Sequence, residues 1–130
     1  MDWDKAMDLA SLATLVLKLR EFLRDFSERR TTAKRQSERD YESTLKALLT
    51  ALNETQIYIG KKRRNKSTEA KLSRLWTAAA LRIRNYDIDL AERCQMKGVY
   101  WTSPDSWCDE DIEKTRIAID EVAESIKKLL

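Results

Sequence analysis

Apolar residues recur along this chain at steps of three and four, the spacing that places side chains on one face of a helix. Four stretches follow this pattern, and they begin near residues 9, 41, 72 and 112. No stretch of comparable length alternates apolar and polar residues with the period of two that is typical of a strand. Each apolar face must be covered by other helices, so the pattern predicts an all-α fold, specifically an antiparallel up-down four-helix bundle.

Residues with known preferences for helix ends give the expected limits of these helices. Asn65 or Ser67 can accept backbone amides at the start of the third helix. Gly98 is a favourable left-handed stop at its end. Two Asp residues within the segment Asn85 to Asp89 can break the third helix into two pieces. Without that break, the expected helices are residues 3–29, 32–62, 67–97 and 108–129.

The composition agrees with long helices in one folded unit. The 130 residues include two Gly and one Pro, and so few of these residues mean few turns. Charged residues make up 36% of the chain and apolar residues 42%, which suits helices with one buried and one solvated face. A chain of this length usually forms one domain, so we interpret residues 1–130 as a single helical-bundle domain.

Short links make neighbouring helices antiparallel, and this decides which turns share an end of the bundle. The turns near residues 30 and 100 are expected at one end. The turn near residue 64 and both termini are expected at the other. Charged and aromatic groups can act together only if they lie at the same end.

The turn between the second and third helices is strongly basic. Five of the six residues from 61 to 66 are positive, namely Lys61, Lys62, Arg63, Arg64 and Lys66. One interpretation is a site for the phosphates of nucleic acid or another polyanion. The other is a solvated turn whose cations favour the negative end of the preceding helix. No aromatic residue is interleaved, which weakens the case for a platform that stacks single-stranded bases. Lys127 and Lys128 are expected at this end as well.

A second basic group is expected at the opposite end and comprises Arg29, Arg30, Lys34 and Arg35. The acidic residues between Asp105 and Glu113 belong to that same end in this topology. We therefore expect these opposite charges to pair with each other. Such exposed pairs stabilise a protein by only about 0–1 kcal/mol each, although they help to select one arrangement of loops.

The segment Val99–Trp107 carries three large aromatic residues, Tyr100, Trp101 and Trp107. One interpretation is a lid in which the two tryptophans seal the end of the bundle and Pro104 fixes the turn. The other is a recognition patch, because Tyr and Trp are favoured interface anchors and the nearby carboxylates suit a basic partner. On the second interpretation, Tyr100, Trp101 and Trp107 bind the partner.

The first helix carries more apolar surface than one buried face requires. Leu15 and Phe22 widen its apolar face, and Leu17 lies beyond it. Either this helix contacts two neighbours inside the bundle, or it carries a self-association face that would make a homodimer.

The residue types give little support for catalysis. The chain has no histidine, and its two glycines stand alone rather than in a phosphate-binding loop. Cys94 and Cys108 without histidine do not make a zinc site, and we expect them as thiols. We therefore expect no enzyme activity, no bound metal and no other cofactor.

Location and function follow from these points as expectations. The opening residues lack the basic region of a signal peptide, and the least polar stretch, Leu9 to Leu17, is about half of a bilayer span. We expect a cytoplasmic protein without a membrane partner. The function expected first is a protein–protein interaction or assembly module, with a protein or a second copy as partner. The alternative is nucleic-acid or polyanion binding through the turn at residues 61–66.

Overall fold

A computed structural model describes residues 9–29, 36–115, 117 and 119–130. Over these residues the chain is helical and contains no strand, which confirms the prediction of an all-α fold. The helices are α1 (Leu9–Arg29), α2 (Gln36–Gly60), α3 (Lys66–Ile83), α4 (Ile88–Thr102), α5 (Asp109–Thr115) and α6 (Ile119–Leu129), with a 3-10 turn at Pro104–Ser106. None of these helices is both long enough and apolar enough to cross a membrane.

The segment expected as one third helix forms a helical hairpin instead. α3 ends at Ile83, and the amide of Tyr86 donates to the carbonyl of Ile83 at 2.8 Å in the turn that follows. Asp87 then opens α4, because its side chain accepts the amide of Leu90 at 3.0 Å. The chain therefore reverses within the segment Asn85–Asp89 that was expected to be able to divide this helix. The predicted arrangement of four helices is not confirmed, since this region contributes two.

Gly98 lies inside α4 and does not end it, so the predicted helix limit at residue 97 is wrong. A Cβ at Gly98 would lie 2.5 Å from Thr77 Oγ1 and 3.1 Å from the carbonyl oxygen of Ser73. The hydroxyl of Ser73 donates to the carbonyl of Gly98 at 2.7 Å. The glycine is therefore needed for close packing of α4 against α3, and not for a left-handed turn.

The segment expected as the fourth helix is also interrupted. α5 begins at Asp109, and the side chain of Asp111 accepts the amide of Cys108 at 3.1 Å. Ile117 lies between α5 and α6, is not helical and is fully buried. An apolar anchor in a short connection thus replaces the continuous helix predicted for residues 108–129.

All four predicted apolar faces contribute to the core. The largest side chain buried from α3 is Trp76, whose indole donates to Thr55 Oγ1 at 2.9 Å. On α1, Leu15 is buried in the core and Phe22 packs partly buried against it. Leu17 stays 57% exposed. Most of the surplus apolar surface of the first helix is therefore covered within this chain.

The helices form a ring around the core. α2 packs against α1 and α3, α3 packs closely against α4, and α6 contacts both α4 and α1. Arg93 ties α4 to α6, because its guanidinium donates to the carbonyl of Glu121 at 2.9 Å and to the hydroxyl of Ser125. The ring therefore contains five helices instead of the predicted four. The additional helix is α4, which is the second half of the predicted third helix, and α6 closes the ring beside α1.

Contacts between helix ends define the two ends of the molecule. The aromatic end contains the stacked and edge-on rings of Phe22, Phe26, Tyr41 and Tyr86. The hydroxyl of Tyr41 donates to the carbonyl of Leu129 at 3.1 Å, so α6 also finishes at this end. The basic end comprises residues 58–69 and 100–107.

Two topological predictions are wrong. The turn near residue 64 and the segment near residue 100 lie at the same end, because Arg64 and Asp105 form an ion pair at 2.8 Å. Lys127 and Lys128, in the last turn of α6, lie at the aromatic end and do not add to the basic turn. The physical reason is the additional reversal between α3 and α4, which exchanges the ends of every later element.

Candidate functional site

The basic turn joins α2 to α3 and presents most of its cations to solvent. Lys61, Lys62, Arg63 and Lys66 are all exposed. None of these four forms an ion pair with a carboxylate in the described part of the chain. Lys62 has a φ of 53°, a left-handed conformation that ends α2 and allows the chain to turn sharply. These four predicted site residues are therefore brought together on one exposed turn.

Arg64 has a different environment from the other cations of the turn. Its Nε lies 2.6 Å from Glu69 Oε2, and its Nη2 donates to Glu69 Oε1 at 3.2 Å. Its Nη1 donates to Asp105 Oδ1 at 2.8 Å. These hydrogen bonds hold the pKa of Arg64 above its ordinary value and lower the pKa of the Asp105 carboxyl. Arg64 is thus committed within the protein and fixes the turn to the segment after α4.

Tyr58 completes this polar network from below. Its ring is 3% exposed, its hydroxyl donates to Glu69, and it accepts the amide of Asn65 at 2.8 Å. Burial and the neighbouring carboxylate of Glu69 raise the pKa of Tyr58. Because Glu69 is 5% exposed, its two partners satisfy a carboxylate that would otherwise be costly to bury. The network holds the backbone of the turn in one conformation.

Asn65 caps α3, which decides between the two predicted capping residues. Its side chain accepts the amide of Thr68 at 2.9 Å, and its φ of −150° is the extended conformation expected of a cap. The basic turn is therefore fixed on both sides, by the cap of α3 and by the buried hydroxyl of Tyr58.

Two clefts of about 580 Å³ flank the turn. The first cleft lies toward α2 and is lined by Lys61, Arg63 and Lys71, with Glu54 paired to Lys71 at 3.5 Å. The second cleft lies toward the end of α4, and its cations are Arg64, Lys66 and Arg74. Both clefts therefore carry positive side chains, and the turn separates them.

The three predicted aromatic anchors lie at this end but mostly inside it. Tyr100 and Trp101 belong to α4 and are each 1% exposed, with ring centroids 5.1 Å apart. Trp107 is half-buried and packs edge-on against Tyr100 at 5.7 Å. Burial raises the pKa of Tyr100. This placement agrees with the lid interpretation, and a partner that docks on the folded chain can reach only Trp107.

The acidic residues of α5 follow the 3-10 turn, so they begin near the basic end. Asp109, Glu110, Asp111 and Glu113 are exposed. The predicted pairing of Asp105 with the second basic group is wrong, because Asp105 pairs with Arg64. Of that group, Arg30, Lys34 and Arg35 lie outside the described residues. The positive surface of the basic end is therefore followed, after the 3-10 turn, by the negative surface of α5.

The sequence patterns missed Lys97, which lies in α4 with no exposed surface. Burial lowers the pKa of Lys97 to about 7 and raises the pKa of its neighbour Cys94 to about 12. Cys108 is exposed, and the two thiols are not joined. A usable signal existed, because Leu90, Cys94, Lys97 and Trp101 follow the same steps of four, three and four.

No group of three metal-ligating side chains was found among the residues described above. No protein-family model, curated protein or solved structure matches this chain. The basic end and the exposed apolar residues are therefore the features of the molecule that bear on its function.

Proposed function

We propose that this protein binds polyanions, with nucleic acid as the principal class, through the basic turn at residues 61–66. The observation that carries the proposal is the exposure of Lys61, Lys62, Arg63 and Lys66 on a turn that Arg64, itself 41% exposed, fixes through Glu69 and Asp105. Long cationic side chains lose less freedom on binding when their backbone is already ordered. A fixed turn with several unengaged cations suits the regular spacing of backbone phosphates.

The carboxylates nearest the turn do not cancel these charges. Glu69 and Asp105 are engaged by Arg64, and Glu54 is engaged by Lys71. The exposed cations therefore keep their charge available to a ligand. This supports a binding site over a solvated turn whose only role is to complement the end of α2.

The test is fluorescence anisotropy with a labelled mixed-sequence DNA duplex at several salt concentrations. If four phosphates are contacted, affinity should fall about 100-fold between 50 and 200 mM salt. Substitution of Lys61→Ala with Arg63→Ala should weaken binding and reduce the salt dependence. The control is Lys127→Ala with Lys128→Ala, which removes the same charge from two exposed residues at the aromatic end. Equal losses in both variants, or no binding at 50 mM salt, would contradict the proposal.

A second proposal is self-association, as one form of the protein-interaction role. Leu81 is 68% exposed and Ile88 is 65% exposed, and these two residues flank the α3–α4 turn. Arg84 lies on the α3 side of this turn, and Glu92 lies on the α4 side; both are exposed. A twofold axis through the turn would bring the basic side of one copy against the acidic side of the other. The proposed occupant of this apolar surface is therefore a second copy of this chain.

Solution mass measured by light scattering tests self-association and identifies its surface. Leu81→Ser should convert a dimer to a monomer, whereas Leu17→Ser should do so only if the exposed face of α1 is the interface instead. A monomer at every concentration of the unmodified protein would exclude both surfaces. Binding of a different protein through Trp107 stays a prediction that the same variants do not address.

A further inference from the structure

We infer that the polyanion bound at the basic end is a nucleic-acid duplex, with the turn seated in a groove and one cleft facing each phosphate row. This inference rests on the proposed function and names the form of nucleic acid. It depends on three features of the basic end: the depth of its aromatic rings, the distribution of its cations, and the width of the turn.

The aromatic rings favour a duplex because they cannot stack on bases. Proteins that bind single strands place exposed aromatic side chains along a positive groove, and successive bases stack on them. At the basic end Tyr58, Tyr100 and Trp101 are 3%, 1% and 1% exposed. Trp107 lies at the same end but is half-buried, and its ring packs edge-on against Tyr100 at 5.7 Å. The surface around Lys61 to Lys66 therefore offers positive charge with little aromatic surface.

The cations are divided between two sides of the turn. Lys61 and Arg63 line the first cleft, whereas Lys66 and Arg74 line the second. A single strand has one row of phosphates and would engage one side at a time. A duplex has two rows that border each groove, so both pairs of cations can be engaged together.

The width of the turn limits how deeply it can enter a groove. The turn joins two packed helices, whose axes lie about 8–10 Å apart and which are each about 10–12 Å across with their side chains. The major groove of a DNA duplex is about 12 Å wide, and an RNA duplex presents a wide, shallow minor groove. The helix pair therefore stays outside the groove, and only the tip of the turn at residues 61–65 enters it, which leaves the clefts on either side facing the phosphates.

The experiment compares a 20-base-pair DNA duplex, the RNA duplex of the same sequence and their separated strands, using the full chain and fluorescence anisotropy. We expect each duplex that binds to do so at least 10-fold more tightly than its own strands. The ratio between the DNA and RNA duplexes identifies which groove is used. The variant pairs are Lys61→Ala with Arg63→Ala for the first cleft and Lys66→Ala with Arg74→Ala for the second.

Each variant pair should reduce the slope of log affinity against log salt by about two for a duplex. All four substitutions together should reduce it by about four. Equal affinity for duplex and single strand, or a slope that depends on one cleft alone, would overturn the inference but leave polyanion binding standing. Failure of both duplexes, all of their separated strands and heparin to bind at 50 mM salt would overturn the proposed function itself.

Discussion

The two ends of the bundle both contain clustered aromatic rings, but the rings lie at different depths. At the basic end, Tyr100 and Trp101 are each 1% exposed. At the aromatic end, Tyr86 is 41% exposed and stacks edge-on against Tyr41 at 5.6 Å. The basic end has a buried carboxylate, Glu69, whose partners Arg64 and Tyr58 hold the turn, and the Tyr58 ring packs edge-on against Trp101 at 5.6 Å. Residues 30–35 lie outside the described part of the chain.

The contrast indicates how charge and apolar surface can be separated on a small bundle. A network of polar side chains whose buried groups are all hydrogen-bonded can cover the core at one end of the bundle without placing apolar residues on the surface. The neighbouring cations Lys61, Lys62, Arg63 and Lys66 are not part of that network and are exposed to solvent. At the aromatic end Tyr86 remains 41% exposed, and exposed rings of this kind favour contact with another protein surface.

The largest effect should come from removing a buried ring at the basic end. Trp101→Ala should lower the free energy of unfolding by about 3–5 kcal/mol, because it deletes a fully buried indole that packs edge-on against Tyr58 and Tyr100. Urea unfolding followed by circular dichroism measures this loss. A loss below about 1 kcal/mol would mean that Trp101 is exposed and that the depth contrast is wrong.

The polar network should give the next largest effect. Glu69→Ala removes the carboxylate that accepts from the buried hydroxyl of Tyr58 and from the Arg64 guanidinium, so we expect a loss of about 2–3 kcal/mol in the free energy of unfolding. Glu69→Gln keeps an acceptor oxygen and should lose less. The same urea experiment measures both variants. If alanine and glutamine cost the same, hydrogen bonding by the network does not hold the turn.

Stability should depend on pH through Lys97. Its pKa is lowered to about 7 in the folded chain, whereas an unfolded lysine titrates near 10.4. The unfolded state therefore binds more protons between these values, and the free energy of unfolding should rise by about 1–2 kcal/mol from pH 7 to 8.5.

The matched variants are Lys97→Met and Lys127→Met. The first should flatten this pH dependence, and the second should not, because Lys127 is exposed. The raised pKa of Cys94 acts in the opposite direction from about pH 7.5 upward, as the unfolded thiol ionises, but up to about pH 8.5 this effect is smaller than that of Lys97. Stability that falls between pH 7 and 8.5 would show that Lys97 is charged in the folded protein at neutral pH.

The smallest effect should come from the exposed ring at the aromatic end. Tyr86→Ala removes one edge-on contact and half-solvated surface, and we expect a loss of about 0.5–1 kcal/mol. Tyr41→Phe, which deletes the hydrogen bond to Leu129, should cost about the same. These values are measured by urea unfolding. A loss for Tyr86→Ala that equals the loss for Trp101→Ala would remove the contrast between the two ends.

Much of the core could be predicted from spacing alone. Residues at steps of three and four, such as Leu12, Leu48, Leu72 and Val122, are fully buried as expected. The prediction failed where one residue type serves two purposes. Glycine is common just after the end of a helix, which is why Gly98 was predicted to end one. It lies instead inside α4, where a side chain would collide with Thr77 on the neighbouring helix.

The candidate site was predicted in part. The basic run was recognised from its composition, and all five of its cations lie exposed, although Arg64 is engaged by Glu69 and Asp105. The separate role of Arg64 could not be predicted, because Asp105 is distant in sequence and was expected at the other end. Whether Tyr100 and Trp101 are exposed also depends on the length of α4, which the glycine obscured.

The sequence by itself determined that this chain is helical, which side chains line the core, and where the positive charge is concentrated. These properties depend on local spacing and composition, which act within a few residues. Only the tertiary structure decided which groups share an end. One reversal at residues 84–87 exchanges the ends of everything that follows, and the local preference for that turn is small compared with the packing of α4 against α3 that stabilises it.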